Sequence, residues 1–153
     1  IGGAPDPRVL VTNTGKNGTA NVPIWTANKY PALTTAIPIA KFAEAQLIVA
    51  EAKVAAGDLA GAAVAINAAR STHAGLPAYD GTGQSAAQVQ AQVVEERRRE
   101  FFLEGHRFGD VRRYNLPLMP PPGATYVSGG TYGNQNCFPL PDVERINNPN
   151  ITK

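Results

Sequence analysis

Glu96-Arg97-Arg98-Arg99-Glu100-Phe101-Phe102-Leu103-Glu104-Gly105-His106-Arg107-Phe108-Gly109-Asp110-Val111-Arg112-Arg113-Tyr114 sets charged and large apolar residues side by side over about five helical turns, broken at Gly105. Phe101, Leu103, Phe108 and Val111 require a core, and the charges require partners if they approach it. The segment therefore predicts a helix that is neither plainly solvated nor plainly buried. Spacings of three and four residues pair Glu96 with Arg99, Glu100 with Arg97 and Glu104 with Arg107. That pattern describes a structural ion-pair network anchoring the proline-rich tail that follows. Nearly every arginine has an acid within one turn, which leaves no run of free cations for a phosphate backbone, so nucleic acid is not an expected partner. Glu100 and Glu104, one turn apart, are the one pair that invites a glycosidase reading. Neighbouring arginines would hold both ionised, which suits structure better than proton donation. No catalytic residue is assigned.

Working outward, 153 residues suffice for one domain with a core, and the net charge of +2 gives no general pull toward an anionic surface. One cysteine, Cys137, excludes an internal disulfide and any thiolate metal cage. It reads as a small buried hydrophobe near the tail. No window approaches the roughly 18 apolar residues of a membrane span, and no signal-peptide pattern is present. The start at Ile1-Gly2-Gly3 suggests a mature product or a piece of a longer chain.

Residues 1–38 read as an irregular lead-in, with Val9–Val11 and Val22–Trp25 as short extended flanks and Asn17-Gly18 as a tight turn. Residues 39–114 carry the helices. The first covers 39–56 and is ended by Gly57. Asp58 caps the second, over 59–71, whose face is Leu59, Ala62, Ala63, Ile66 and Ala69. The joining turn is so short that the two must pack antiparallel. Ala50, Gly57, Ala62 and Ala69, with Ile66, fall where a tetratricopeptide-type hairpin places its close contacts. One hairpin cannot bury both faces, so exposed apolar surface is expected on its outer side. Ser85 caps a third helix through about Leu103, and a shorter one covers about Arg107–Tyr114. Residues 115–153, with Pro120-Pro121-Pro122 and Gly129-Gly130, read as an irregular tail. The expected fold class is all-α: tetratricopeptide-like helical hairpins with long irregular Pro/Gly-rich loops, in a single domain.

The quoted segment resembles the C-terminal signature of the SusD/RagB family of outer-membrane nutrient-binding lipoproteins. Glu96-Arg97, Glu100-Phe101, Glu104-Gly105-His106-Arg107-Phe108 and Asp110-Val111-Arg112-Arg113 follow that signature in order and spacing. Asp6-Pro7-Arg8, Lys29-Tyr30, Ala43-Glu44, Leu47-Ile48, Ala50-Glu51-Ala52, Ile66-Asn67 with Arg70, Phe138-Pro139-Leu140-Pro141 and Asn148-Pro149 are similar to further family landmarks. Two departures stand out: Ala40-Lys41 replaces the usual arginine before the first helix, and Tyr114 stands where tryptophan is common. The resemblance implies a non-catalytic binder of oligosaccharide or another nutrient, without a cofactor. It implies attachment to the cell-surface side of the outer membrane through a lipidated cysteine outside this chain, and delivery of ligand to a SusC-like TonB-dependent transporter. Members are much longer, so the chain is expected to be a C-terminal region that packs on the remainder of its own parent chain. The alternative is a tetratricopeptide-like protein–protein interaction or structural module.

Sugar C–H faces stack on aromatic rings, and amides read hydroxyls. Trp25, Tyr30, Tyr79, Tyr126 and Tyr132 fall in expected loops, with Asn134, Gln135 and Asn136 beside the last. Trp25, Tyr132, Tyr126 and Asn134 are the candidate ligand-binding residues. His73 and His106 have no ligand-like spacing to each other or to Cys137, so no metal is expected. Gly81-Thr82-Gly83-Gln84-Ser85 mimics a phosphate-binding turn but lacks the lysine and a preceding strand, and reads as a connector. Ser71 with His73 lacks an orienting acid. Asn17-Gly18-Thr19 fits a glycosylation acceptor and a tight turn equally well.

Overall fold

Alanine dictates how the first two helices meet. In the computed structural model, which describes residues 5–127, 129–135, 140–146 and 148–150, α1 (Phe42–Ala55) and α2 (Leu59–Arg70) form a close hairpin. Ala50, Ala62, Ala65 and Ile66 are fully or almost fully buried where they meet. Gly57, with φ 78°, ends α1. The Asp58 N–H donates to the Lys53 carbonyl and the Gly57 N–H to the Val54 carbonyl, satisfying two of the helix's last acceptors. Asp58 then caps α2, its carboxylate accepting from the Gly61 N–H at 2.8 Å. This short double-capped link is the expected one, and the helix limits fall within a few residues of those read from the sequence.

Helix α3 (Ala86–Glu100) lays Val89 and Val93 into the same core, with Leu59 and Tyr79 at its margin. Ser85 and Gln88 form a reciprocal cap at its start. A second cluster joins Ala43, Leu47, Ala69 and Phe101. α3 stops at Glu100 rather than near Leu103. The Lys29 and Lys41 ammonium groups donate to the Glu100 carbonyl at 2.7 and 3.3 Å, occupying an acceptor at the helix end. Leu103 (φ 64°) and Gly105 (φ 79°) then turn the chain into α4 (His106–Arg113). Of the four large residues expected in a core, only Phe101 is buried. Leu103 and Phe108 are exposed and Val111 is half-buried, because α4 is held against α3 by charge, through Arg97 and Asp110, rather than by apolar packing.

The lead-in and the tail are more regular than their composition suggests. Strands β1 (Val11–Asn17) and β2 (Pro23–Ala27) pair antiparallel, with Val11 opposite Ala27 and Asn13 opposite Trp25, so the mostly helical fold roughly matches the expected all-α class and adds a small two-stranded sheet. Asn17-Gly18 does not make a two-residue turn. The strands are joined through Gly18, a 3-10 turn over Thr19–Asn21, and Val22. Neither strand has a buried face, which is why alternation was absent from the sequence. In the tail, Thr125 bridges Thr131, and residues Asp142–Ile146 form a short helix, α5. Cys137, Phe138 and Pro139 lie outside the described residues.

The ion pairs differ from those expected. Glu96 does not pair with Arg99. It lies on the buried face of α3, 1% exposed, and accepts from Arg8 at 2.6 Å, Arg70 at 2.5 Å and Gln92 at 2.6 Å. Glu100 accepts from Lys41 and contacts His73, rather than Arg97. Glu104 accepts from Lys29, Lys41 and Tyr30, rather than Arg107. Arg97 turns to Asp110 instead, while Glu95 pairs locally with Arg98 and Arg99, and Asp110 with Arg113. The network thus ties down the lead-in through Asp6, Arg8 and Lys29, and the start of α1 through Lys41. Among the described residues none of its ion pairs reaches the proline-rich tail. Core-facing acids were out of reach of neighbours on the solvent side of their own helix, so distant basic residues complete them.

Replacing Glu96 by Ala would leave the buried Arg70 guanidinium without a carboxylate and Arg8 with Asp6 alone, and urea melts should show a loss of about 3–5 kcal/mol. Glu95→Ala, at a half-buried position beside partly exposed arginines, should cost less than Glu96→Ala. Burial opposes ionisation of Asp6, but hydrogen bonds from Arg8 and Arg99 hold its carboxyl well below the usual range. The hydrogen bond from Arg98 likewise brings Glu95 down to about 2. Carboxyls depressed in the folded state add stability above their unfolded value, and that stability is lost as pH falls through the folded value. Melting temperature should therefore drop as pH is lowered from about 4 toward 2, and an acid-insensitive melt would contradict these pairings.

Candidate functional site

Two aromatic side chains from the tail are brought together by a short backbone device. The Tyr132 N–H donates to the Ala124 carbonyl, the Tyr126 N–H to the Gly130 carbonyl and the Gly123 N–H to the Tyr132 carbonyl, all at 2.9 Å. Gly129 and Gly130 supply the positive φ values (94° and 93°) that let the chain reverse. The result sets the Tyr126 and Tyr132 rings edge to face, 5.4 Å between centroids and 84° between planes. Tyr126 is exposed and Tyr132 half-buried, so one ring is braced while the other stands free. Asn134 and Gln135 follow on the surface with exposed amides. This ledge offers an apolar face beside hydrogen-bonding groups.

Trp25 sits on β2 opposite Asn13 and is 57% exposed. Among the described residues it makes no ring contact with either tyrosine, so it forms a separate aromatic point on the hairpin. The other two aromatic candidates are taken up by structure. The Tyr30 hydroxyl donates to Glu104 at 3.1 Å, and the Tyr79 hydroxyl to Gln84 at 3.1 Å while its ring packs on the core. Burial first, and then Glu104, raise the Tyr30 hydroxyl above its ordinary value, so it remains a neutral donor.

The remaining polar candidates resolve into structural roles. His73 Nε2 lies 2.8 Å from Glu100, and the His106 ring stacks on Phe101 at 4.3 Å. Among the described residues, no group of three or more His, Cys, Asp or Glu is placed to hold a metal ion. Ser85 is used in the α3 cap, which removes it from any phosphate cradle. Lys41 Nζ bridges Glu100 and Glu104 at 2.9 Å each. Burial would raise the Glu104 carboxyl, but Lys29 and Lys41 hold it below its usual value. It is an ionised acceptor, held so by lysines rather than by the arginines expected from the sequence.

Two grooves that the sequence did not reveal flank the Phe101–His106 turn. One, about 520 Å³, runs beside the lead-in between Tyr30, Leu33, Ile37, Ile39 and Leu103. The other, about 680 Å³, lies between Val9, Arg98, Phe102, Arg107 and Met119. Their walls come from segments far apart in sequence, and a periodicity argument cannot join those. Leu33, Ile37 and Ile39, apolar yet outside any helix, were the available hint.

Over residues 24–141 the chain matches the SusD family. No curated protein and no solved structure matches it.

The chain has one tryptophan, so its fluorescence reports Trp25 alone. The emission should be that of a solvent-exposed indole, open to acrylamide and iodide, and should change little on unfolding in urea. A blue-shifted, quencher-resistant emission would contradict the placement of Trp25 on an exposed hairpin.

Proposed function

The chain belongs to the SusD family, and from that premise we propose that it takes part in non-catalytic capture of oligosaccharide for delivery to a SusC-like TonB-dependent transporter. The family is associated with binding of glycans and other nutrients at the cell surface. The observation that carries the reading to particular residues is the edge-to-face pair of Tyr126 and Tyr132, with Asn134 beside it. A ring face accepts the C–H surface of a sugar, while the neighbouring amide reads its hydroxyls. Trp25 is a second stacking point on the hairpin. The non-catalytic part of the proposal is supported by Glu100 and Glu104, whose carboxylates are engaged by Lys29, Lys41, His73 and Tyr30. Lys29 and Lys41 hold the Glu104 carboxyl below its usual value, which suits an acceptor rather than a proton donor.

In this proposal the protein works at the outer face of the outer membrane, anchored by a lipidated cysteine in the parent chain. No helix among the described residues is long and apolar enough to cross a membrane. The helix pairs are read as tetratricopeptide-like units, on the strength of the close alanine contacts of α1 and α2. Phe42, Ile48, Val49 and Val64 are exposed on that hairpin, as expected of an outer face that packs on the remainder of the parent chain. The same surface is what favours the second reading, a module that binds another protein. Capture of a peptide by this face, abolished by Val64→Asp and unaffected by Tyr132→Ala, would favour that second reading.

A glycan screen followed by calorimetry tests the first reading. Tyr126→Ala and Tyr132→Ala should each weaken oligosaccharide binding about threefold to tenfold, the range for loss of one aromatic contact. Unchanged binding in both variants would remove the ledge from the site.

A further inference from the structure

The groove between Val9, Arg98, Phe102, Arg107 and Met119 combines an apolar floor with unspent positive charge. On its α3 side, Glu95 is shared by two guanidiniums, meeting Arg98 at 2.7 Å and Arg99 at 2.6 Å. Asp6 is shared by Arg8 and Arg99, and Glu96 by Arg8 and Arg70. Four arginines thus divide three carboxylates. Across the groove Arg107 is exposed, and among the described residues its side chain has no hydrogen bond or ion pair. The nearby acids cannot supply one. Glu104 is held by Lys29 and Lys41, and Asp110 by Arg97 and Arg113. The groove edge therefore carries an uncompensated guanidinium on one side and an under-neutralised one on the other.

Between them the surface is apolar. Phe102 and Val9 are half-buried, and Leu103 and Met119 are exposed. Leu103 is set in the left-handed region (φ 64°), which a bulky residue rarely adopts. The lysine contacts to the Glu100 carbonyl, just before it, fix the turn that holds it there. The volume, about 680 Å³, is in the range of small-ligand sites, about 300–1,000 Å³.

We infer that this groove binds the acidic residue of a saccharide, a uronate carboxylate or a sulfate ester. Its anion meets the Arg107 and Arg98 guanidiniums, and its ring lies on Phe102 and Met119. The inference rests on the oligosaccharide-binding reading and narrows it to acidic glycans. A planar guanidinium matches carboxylate and sulfate oxygens with paired hydrogen bonds, strengthened by charge. A neutral sugar could use the floor but not the charge.

The test is calorimetry on the full 153-residue chain with three probes. These are a galacturonate tetrasaccharide, the same tetrasaccharide fully methyl-esterified, and a sulfated neutral tetrasaccharide. The galacturonate should bind about tenfold more tightly than its ester, with the preference shrinking as salt is raised. Tighter binding of the sulfated probe would identify the sulfate as the preferred anion. R107A should remove most of the preference while leaving the melting curve and neutral-sugar binding unchanged. R107K, which keeps the charge without the planar fork, should fall between. Equal affinity for acid and ester, or a preference untouched by R107A, overturns the inference. If neutral sugar still binds in a Tyr132-dependent way, the oligosaccharide reading survives that failure. If none of the three probes binds, this inference fails, while the oligosaccharide reading stands or falls separately on the glycan screen and its Tyr126 and Tyr132 variants.

Discussion

A carboxylate sealed inside a small helical protein must be answered by positive charge, and Glu96 recruits its answer from two distant places. Arg70 arrives from the end of α2 and Arg8 from the lead-in, while Gln92 supplies an amide from the preceding turn of α3. Each guanidinium is in turn satisfied elsewhere. Arg70 donates to the Pro77 carbonyl, and Arg8 is gripped by Asp6. The link between α2 and α3 and the entry of the chain are therefore fixed by one buried group. An apolar residue in its place could fill the volume but would not specify which segments meet there.

A second junction repeats the logic at the end of α3. Lys29 and Lys41 converge on the Glu100 carbonyl and on the carboxylates of Glu100 and Glu104, while Phe101 is covered by Arg97, Lys41 and the His106 ring. These contacts stop the helix, aim Leu103 outward and set the start of α4. Both grooves are by-products of that turn. The charged signature is thus a scaffold whose shape creates recesses, while the aromatic ledge hangs on a separate loop held by its own backbone bonds.

The helices were legible because their punctuation is local: Gly57, Asp58 and Ser85 act within one turn of themselves. Ala50, Ala62, Ala69 and Ile66 were legible as the packing face for the same reason. The buried acids were also legible in principle. Val89, Val93, Glu96 and Glu100 follow one another at intervals of four, three and four, so Glu96 and Glu100 had to share the core face of the two valines. Pairing Glu96 with Arg99 and Glu100 with Arg97 by helical spacing concealed that. The hairpin in the lead-in was hidden because both its faces meet solvent, which erases the alternation that betrays a strand. The meeting of Tyr126 and Tyr132 depended on backbone bonds across Gly129-Gly130. The candidate residues could be named from the sequence, but not their arrangement.

The bond between Arg8 and Glu96 joins positions 88 residues apart, and that separation bears on the order in which the molecule assembles. Closing so long a loop costs chain entropy that no nearby contact repays, whereas α1 and α2 meet across a three-residue link. The hairpin can condense early and α3 can join it through Val89 and Val93, but Glu96 then faces Arg70 alone. Only when the first residues of the chain return is the charge fully matched. The segment around Arg8 is therefore among the last to settle, and its arrival tightens a helical core that has already formed.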